Sequence, residues 1–166
     1  MNADKVTHNA CVITVSTGIA ARRRADSSGQ ILREGLKQQG LLITDGGVIP
    51  DHRLTIQQAV LRRADFEPVA LLVFTGGTGP TPDDVTTQAI LPLLDRRYDG
   101  VEIALHDDGR ASTSRAPMSR LLVGARGKTV VIALPGSPGA CKDALATLSP
   151  ILTHLLSLSA GTFDSH

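Results

Sequence analysis

The stretch VALLVFTGGTGPTPDD, residues 69–84, decides the fold. Residues 69–74 are apolar without a break. Such a run fits a strand covered on both faces, as in a parallel sheet flanked by helices, rather than the alternation of a half-solvated strand. Thr75–Pro82 is a loop of Gly, Pro and Thr, and Asp83-Asp84 opens a helix expected to reach about Leu94. Ligands in open α/β sheets bind at the carboxyl ends of the strands, where this loop must lie.

The same unit repeats outward. Residues 10–16 (ACVITVS), 41–48 and 130–134 read as further strands. Between them, Asp26-Ser27-Ser28 caps a helix that Gly40 stops, and Pro50-Asp51 opens a second. Residues 19–25, with Arg22-Arg23-Arg24, read as a loop, and Cys141–Leu156 as one closing helix. Residues 96–127 are less regular and suggest only short helical fragments. Strands alternating with helices imply a mostly parallel, doubly covered sheet. A length of 166 residues implies a single domain over 10–157. A disordered lead-in, 1–9, and a flexible tail, 158–166, would flank it.

Composition narrows the function. The net charge is +1 and aromatics make up 2% of the residues. A nucleic-acid binder would need a basic face or exposed stacking rings, so none is expected. No apolar run approaches the ~20 residues of a membrane span, and the polar start shows no secretory signal. Cys11 and Cys141 sit in apolar runs, read as small buried hydrophobes, and fit a cytoplasmic protein. The five His residues are scattered without metal-ligand spacing.

Chemistry concentrates at the loops. Thr75-Gly76-Gly77-Thr78-Gly79 brings backbone N–H groups and hydroxyls to a helix start, a setting suited to phosphate. It is neither a P-loop nor GxGxxG. Leu134-Pro135-Gly136-Ser137-Pro138-Gly139 has the same strand–loop–helix setting, so the two loops could flank one extended anionic ligand. Asp51 and Asp84 each stand where a helix follows a strand. Each is either a cap or a carboxylate holding Mg²⁺ against phosphates, and Asp83 rivals Asp84. Ser112–Arg115 and Ser119-Arg120 could bind an anion.

Taken together, TGGTGPTPDDVT (75–86) and LPGSP (134–138) resemble the MogA/MoaB family of molybdenum-cofactor biosynthesis. Asp26-Ser-Ser-Gly29, Pro50-Asp51 with Ile56, and Met118-Ser119-Arg120 followed by Gly124 and Gly127-Lys-Thr also match its motifs. The resemblance covers about residues 10–156. It implies a three-layer α/β/α sandwich that assembles as a homo-oligomer, a trimer or a hexamer. It further implies binding of molybdopterin and Mg²⁺-dependent transfer of AMP from ATP to the molybdopterin phosphate.

In that scheme Asp51 and Asp84 are catalytic and hold the metal. Thr75, Gly76, Gly77, Thr78, Gly79, Glu102, Ser119, Arg120, Pro135, Gly136 and Ser137 bind substrate. The chain departs from the pattern at four places, one of them Glu102–Arg110, which matches the family's Gly-Phe-Gly-Glu pattern only loosely. Ser16-Thr17-Gly18 stands for Ser-Asp-Arg, Asp83 for an Arg, and Ala133 for an Asn. The alternative is a MoaB-type protein that holds molybdopterin without transferring AMP. A weaker third reading, from a likeness of TPDDVT to competence-associated domains, is a nucleotide-pyrophosphate hydrolase.

Overall fold

A computed structural model describes residues 8–21 and 25–162. Six strands form one sheet: β1 (Asn9–Val15), β2 (Leu42–Ile49), β3 (Leu71–Thr75), β4 (Arg96–Arg97), β5 (Leu122–Arg126) and β6 (Thr129–Leu134). Their order is β2-β1-β3-β6-β5-β4. The four strands from β2 to β6 run parallel, while β5 and β4 are antiparallel to their neighbours. Seven helices accompany them among the described residues: α1 (Thr17–Ala20), α2 (Ser27–Gln38), α3 (Arg53–Leu61), α4 (Thr86–Ile90), α5 (Asp99–Ser112), α6 (Pro138–Leu148) and α7 (Leu152–Ala160).

Alternation along the strands builds three layers. Ala10, Val12, Leu71, Val73, Val130 and Ile132 pack against Leu32 and Leu36 of α2, Leu105 of α5, Cys141 and Leu148 of α6, and Leu152 and Leu156 of α7. Their chain neighbours Cys11, Ile13, Leu72, Phe74 and Val131 pack on the other face against Ile56 and Val60 of α3 and Ala89 and Ile90 of α4. Each apolar strand therefore feeds two cores, which is why it shows no polar alternation. Cys11 and Cys141 are buried free thiols, and burial pushes both above the usual thiol pKa. No helix of the described residues is long and apolar enough to cross a membrane.

This topology opens a crevice. β1 leads to α2 on one face, whereas the adjacent β3 leads to α4 on the other. Neighbouring parallel strands whose exits diverge leave a cleft at their carboxyl ends.

Several elements differ from the sequence reading. The stretch expected as a loop after β1 starts with a helical turn, α1, because Ser16 Oγ accepts from Ile19 N at 3.3 Å. Arg22-Arg23-Arg24 lies outside the described residues. The helix expected from Asp83-Asp84 begins only at Thr86, after a turn closed by Asp84 N donating to Thr81 O at 3.1 Å. Residues 96–127 hold β4, the 14-residue α5 and β5 rather than fragments. The closing helix is two helices, since Pro150 has no N–H to continue α6. Asn9 is the first residue of β1, and 158–160 complete α7.

Candidate functional site

A cavity of about 730 Å³ occupies the crevice. Its walls come from the ends of β1, β3 and β6 and the loops beyond them, with Asp51 from the loop after β2 and Arg115, Met118 and Ser119 from the segment before β5. Thr75, Gly76, Gly77, Thr78, Gly79, Asp51, Asp84, Ser119, Pro135, Gly136 and Ser137 all line it, as does Asp83.

The glycine loop has a conformation that few other residues could hold. Gly76 and Gly77 have φ of 102° and 66°. A Cβ on Gly76 would stand 2.2 Å from Val15 O, and one on Gly77 would stand 2.3 Å from Thr86 Oγ1. The loop is pinned from both sides. Gly76 N donates to Leu134 O at 3.0 Å, Thr86 N donates to Gly77 O at 3.0 Å, and Thr86 Oγ1 donates to Gly76 O at 2.9 Å. The buried Thr75 Oγ1 donates to Pro135 O at 2.9 Å, which ties this loop to the second one. Ser28 Oγ donates to Gly136 O at 2.8 Å from the start of α2. The amino ends of α2 and α6, capped by Asp26 and Ser137, thus meet at the crevice with their partial positive charge.

Neither Asp51 nor Asp84 caps the helix that follows it. α3 and α4 begin after His52 and Val85, which make no side-chain cap. Asp51 Oδ2 instead accepts from Thr17 N at 2.7 Å and Thr17 Oγ1 at 2.9 Å. Asp84 Oδ2 accepts from Thr81 N at 3.0 Å and Thr81 Oγ1 at 2.6 Å. The two carboxylates border the glycine loop. A Cβ on Gly77 would come 3.1 Å from Asp51 Oδ1, and one on Gly79 would come 2.7 Å from Asp84 Oδ2. Among the described residues, no group of three or more His, Cys, Asp or Glu is placed to hold a metal ion. Two carboxylates beside one glycine loop nevertheless fit Mg²⁺, which commonly takes one or two carboxylates and completes its shell from phosphate and water.

Glu102 and Arg120 do not line the cavity. Buried Glu102 accepts from Val123 N at 3.0 Å and pairs with Arg97 at 2.6 Å, so its carboxylate serves the sheet edge. Arg120 donates to Gly79 O at 2.6 and 2.9 Å and to Asp84 O at 2.5 Å, and its own N–H reaches Thr78 O at 2.7 Å. Its guanidinium holds the loop from behind. Thr14, Ser28 and Met118 also line the cavity, although Thr14 was read only as a strand residue, Ser28 only as part of a helix cap and motif, and Met118 only as part of a motif. The first two were findable, because any residue ending β1 or starting α2 must face the same sheet edge.

A second cavity of about 560 Å³ shares Arg115, Ser119, Pro135 and Ser137 with the first. It is walled by Leu105, Leu121 and Ala144, with His106 and Asp143 among its polar groups.

Residues 11–154 match the family model described as "Probable molybdopterin binding domain". The chain is 36% identical over 162 residues to the molybdenum cofactor biosynthesis protein B of Bacillus cereus, covering 93% of this chain and 89% of that one. It is 38% identical over 155 residues to a molybdenum cofactor biosynthesis bifunctional protein of Chlorobaculum tepidum, but spans only 49% of that protein's length. The crystal structure of the molybdopterin biosynthesis enzyme MoaB from Thermus thermophilus superposes with a TM-score of 0.88 at 32% identity, covering 93% of this chain and 98% of that one. The chain belongs to the molybdopterin-binding domain family of molybdenum cofactor biosynthesis.

Proposed function

We propose that this chain binds molybdopterin and transfers AMP from ATP to its terminal phosphate. The observation that carries this reading is the placement of Asp51 and Asp84 against one glycine loop inside one cavity. The reaction joins a molybdopterin phosphate oxygen to the α-phosphorus of ATP. The bond from that phosphorus to the β-phosphate's bridging oxygen breaks, and pyrophosphate leaves.

Such a transfer asks the protein mainly to position two phosphates and neutralise charge. The 75–79 loop offers backbone N–H groups to phosphate oxygens, and the amino ends of α2 and α6 add fixed positive potential. Asp51 and Asp84 would hold Mg²⁺, which when bound withdraws charge from the phosphates. Arg115, at the boundary of the two cavities, offers a guanidinium to an anion. The second cavity enlarges the space to the scale of two ligands.

The test is incubation with molybdopterin, ATP and Mg²⁺. Adenylylated molybdopterin and pyrophosphate are expected. Bound molybdopterin with no product would establish the alternative, a protein that holds molybdopterin without transfer. That alternative draws its support from Thr17-Gly18, beside Asp51, and from Ala133. A homo-oligomer in multiples of three belongs to the same reading. It is supported by the family resemblance rather than by an apolar patch, since the exposed Leu42, Leu54, Phe66 and Ile103 stand on separate elements. A monomeric mass by light scattering would overturn it.

A further inference from the structure

Asp51 and Asp84 come from different loops, yet each is held in the same way. In both, one carboxylate oxygen, Oδ2, takes the backbone N–H and the hydroxyl of a single threonine. Thr17 is locked further, because its Oγ1 also accepts from Asp51 N at 3.1 Å. Neither Thr17 nor Thr81 lines the cavity, whereas both aspartates do. A short acidic side chain turns about two bonds, and two donors on one oxygen fix both. The same oxygen stays committed to the threonine, which leaves Oδ1 of each carboxylate for any ligand.

We propose that Thr17 and Thr81 are positioning residues that set the orientation of Asp51 and Asp84. This rests on the adenylyl-transfer reading only for its effect on turnover. The orientation of the two carboxylates does not depend on that reaction. A hydroxyl lost from a bond to an ionised carboxylate corresponds to roughly tenfold to hundredfold in rate when that carboxylate serves the transition state.

The experiment uses Thr17→Val, Thr17→Ser, Thr81→Val and Thr81→Ser in the full chain, with folding checked by circular dichroism. Valine keeps the threonine shape and removes the hydroxyl, and Thr→Ala replaces it should either valine variant fail to fold. Carboxyl-labelled aspartate gives a carbon resonance for each residue, assigned by its loss in Asp51→Asn and Asp84→Asn. Thr17→Val should shift the Asp51 resonance and leave that of Asp84 in place, and Thr81→Val should do the converse. With molybdopterin, ATP and Mg²⁺, each valine variant should lower kcat about tenfold or more without changing KM for molybdopterin, and each serine variant should restore it. An unmoved cognate resonance, or equal losses in the serine and valine variants, would overturn the proposal. A wild type without turnover would instead overturn adenylyl transfer, and the resonances alone would then decide the positioning.

Discussion

Beyond the carboxyl ends of β2 and β3 the acidic side chains Asp51 and Asp84 face a cavity, whereas beside β4 and β5 Asp95 and Glu102 accept from backbone N–H groups. Asp51 and Asp84 line the crevice and keep one oxygen turned from their threonines. Glu102 accepts Val123 N, and Asp95 Oδ2 accepts Gly127 N at 2.6 Å. The difference follows from topology. Parallel strands all end at one edge, so their loops converge on a shared ligand space. The antiparallel edge has no such convergence. β4 pairs only two residues of β5, and side chains must satisfy what the short strand leaves open.

Two glycines at positive φ give the largest expected contrast. Gly77 has φ 66° in the crevice loop, and Gly127 has φ 56° in the β5–β6 turn. Gly77→Val puts a Cβ against Thr86 Oγ1 and close to Asp51 Oδ1. ATP binding, measured by calorimetry on the folded variant, should be lost. Gly127→Ala meets no atom within 4 Å, so it should cost about 1 kcal/mol of conformational strain and leave binding intact. Equal affinity in both variants would remove the loop from the site.

Next come the carboxylates themselves. Asp51→Asn and Asp84→Asn are isosteric and keep an oxygen for the threonine donors. Turnover should fall by ~10²–10³, roughly 3–4 kcal/mol, with molybdopterin affinity little changed. Wild-type turnover with Mg²⁺ and ATP saturating would leave both aspartates as loop-fixing groups only.

Glu102→Ala reverses the pattern. It strands the buried Val123 N–H and frees Arg97, so denaturant midpoints should report a loss of about 2–3 kcal/mol. Turnover per folded molecule should stay at the wild-type value. A fall in turnover with unchanged stability would return Glu102 to the site.

The same contrast governs what the sequence made legible. β1, β3 and β6 were visible to within one or two residues, because burial on both faces leaves an apolar run such as Leu71–Phe74, whereas the exposed edge strand β2, with Asp45-Gly46-Gly47 inside it, was bounded as closely without one. The crevice residues were visible because glycine loops at strand ends have few other uses. The antiparallel edge was not. Arg96-Arg97 is too short and polar to show any period, and Gly124 interrupts β5. Gly100 and Gly109 inside α5 hid a long helix whose buried face carries little more than Val101, Glu102 and Leu105. Arg120 looked like an anion ligand because its sequence context says nothing of direction. Only the fold shows its guanidinium on the Gly79 and Asp84 carbonyls.

The smallest expected effect lies where the two regions are tied together. Arg126, at the end of β5, grips Asp65 with Nε at 2.9 Å from Oδ1 and Nη2 at 2.7 Å from Oδ2, and donates to Leu93 O at 3.0 Å. Asp65 belongs to the turn after α3, so the pair links the antiparallel edge to the parallel half. The hydrogen bonds from Arg126 hold the Asp65 carboxyl below the usual carboxylate range. A carboxylate depressed in the folded state stabilises it above the unfolded value near pH ~4, and the gain is lost as pH falls through the folded value. The side chains are 26% and 35% exposed, so solvent screening keeps the contribution under about 1 kcal/mol. Asp65→Asn should therefore lower Tm at pH 7 by about 2 °C or less, and the gap from wild type should close in acid below pH ~4. High salt at neutral pH should narrow it as well. A gap that stayed constant into acid would assign the loss to neutral contacts of the Asp65 side chain instead of to the ion pair.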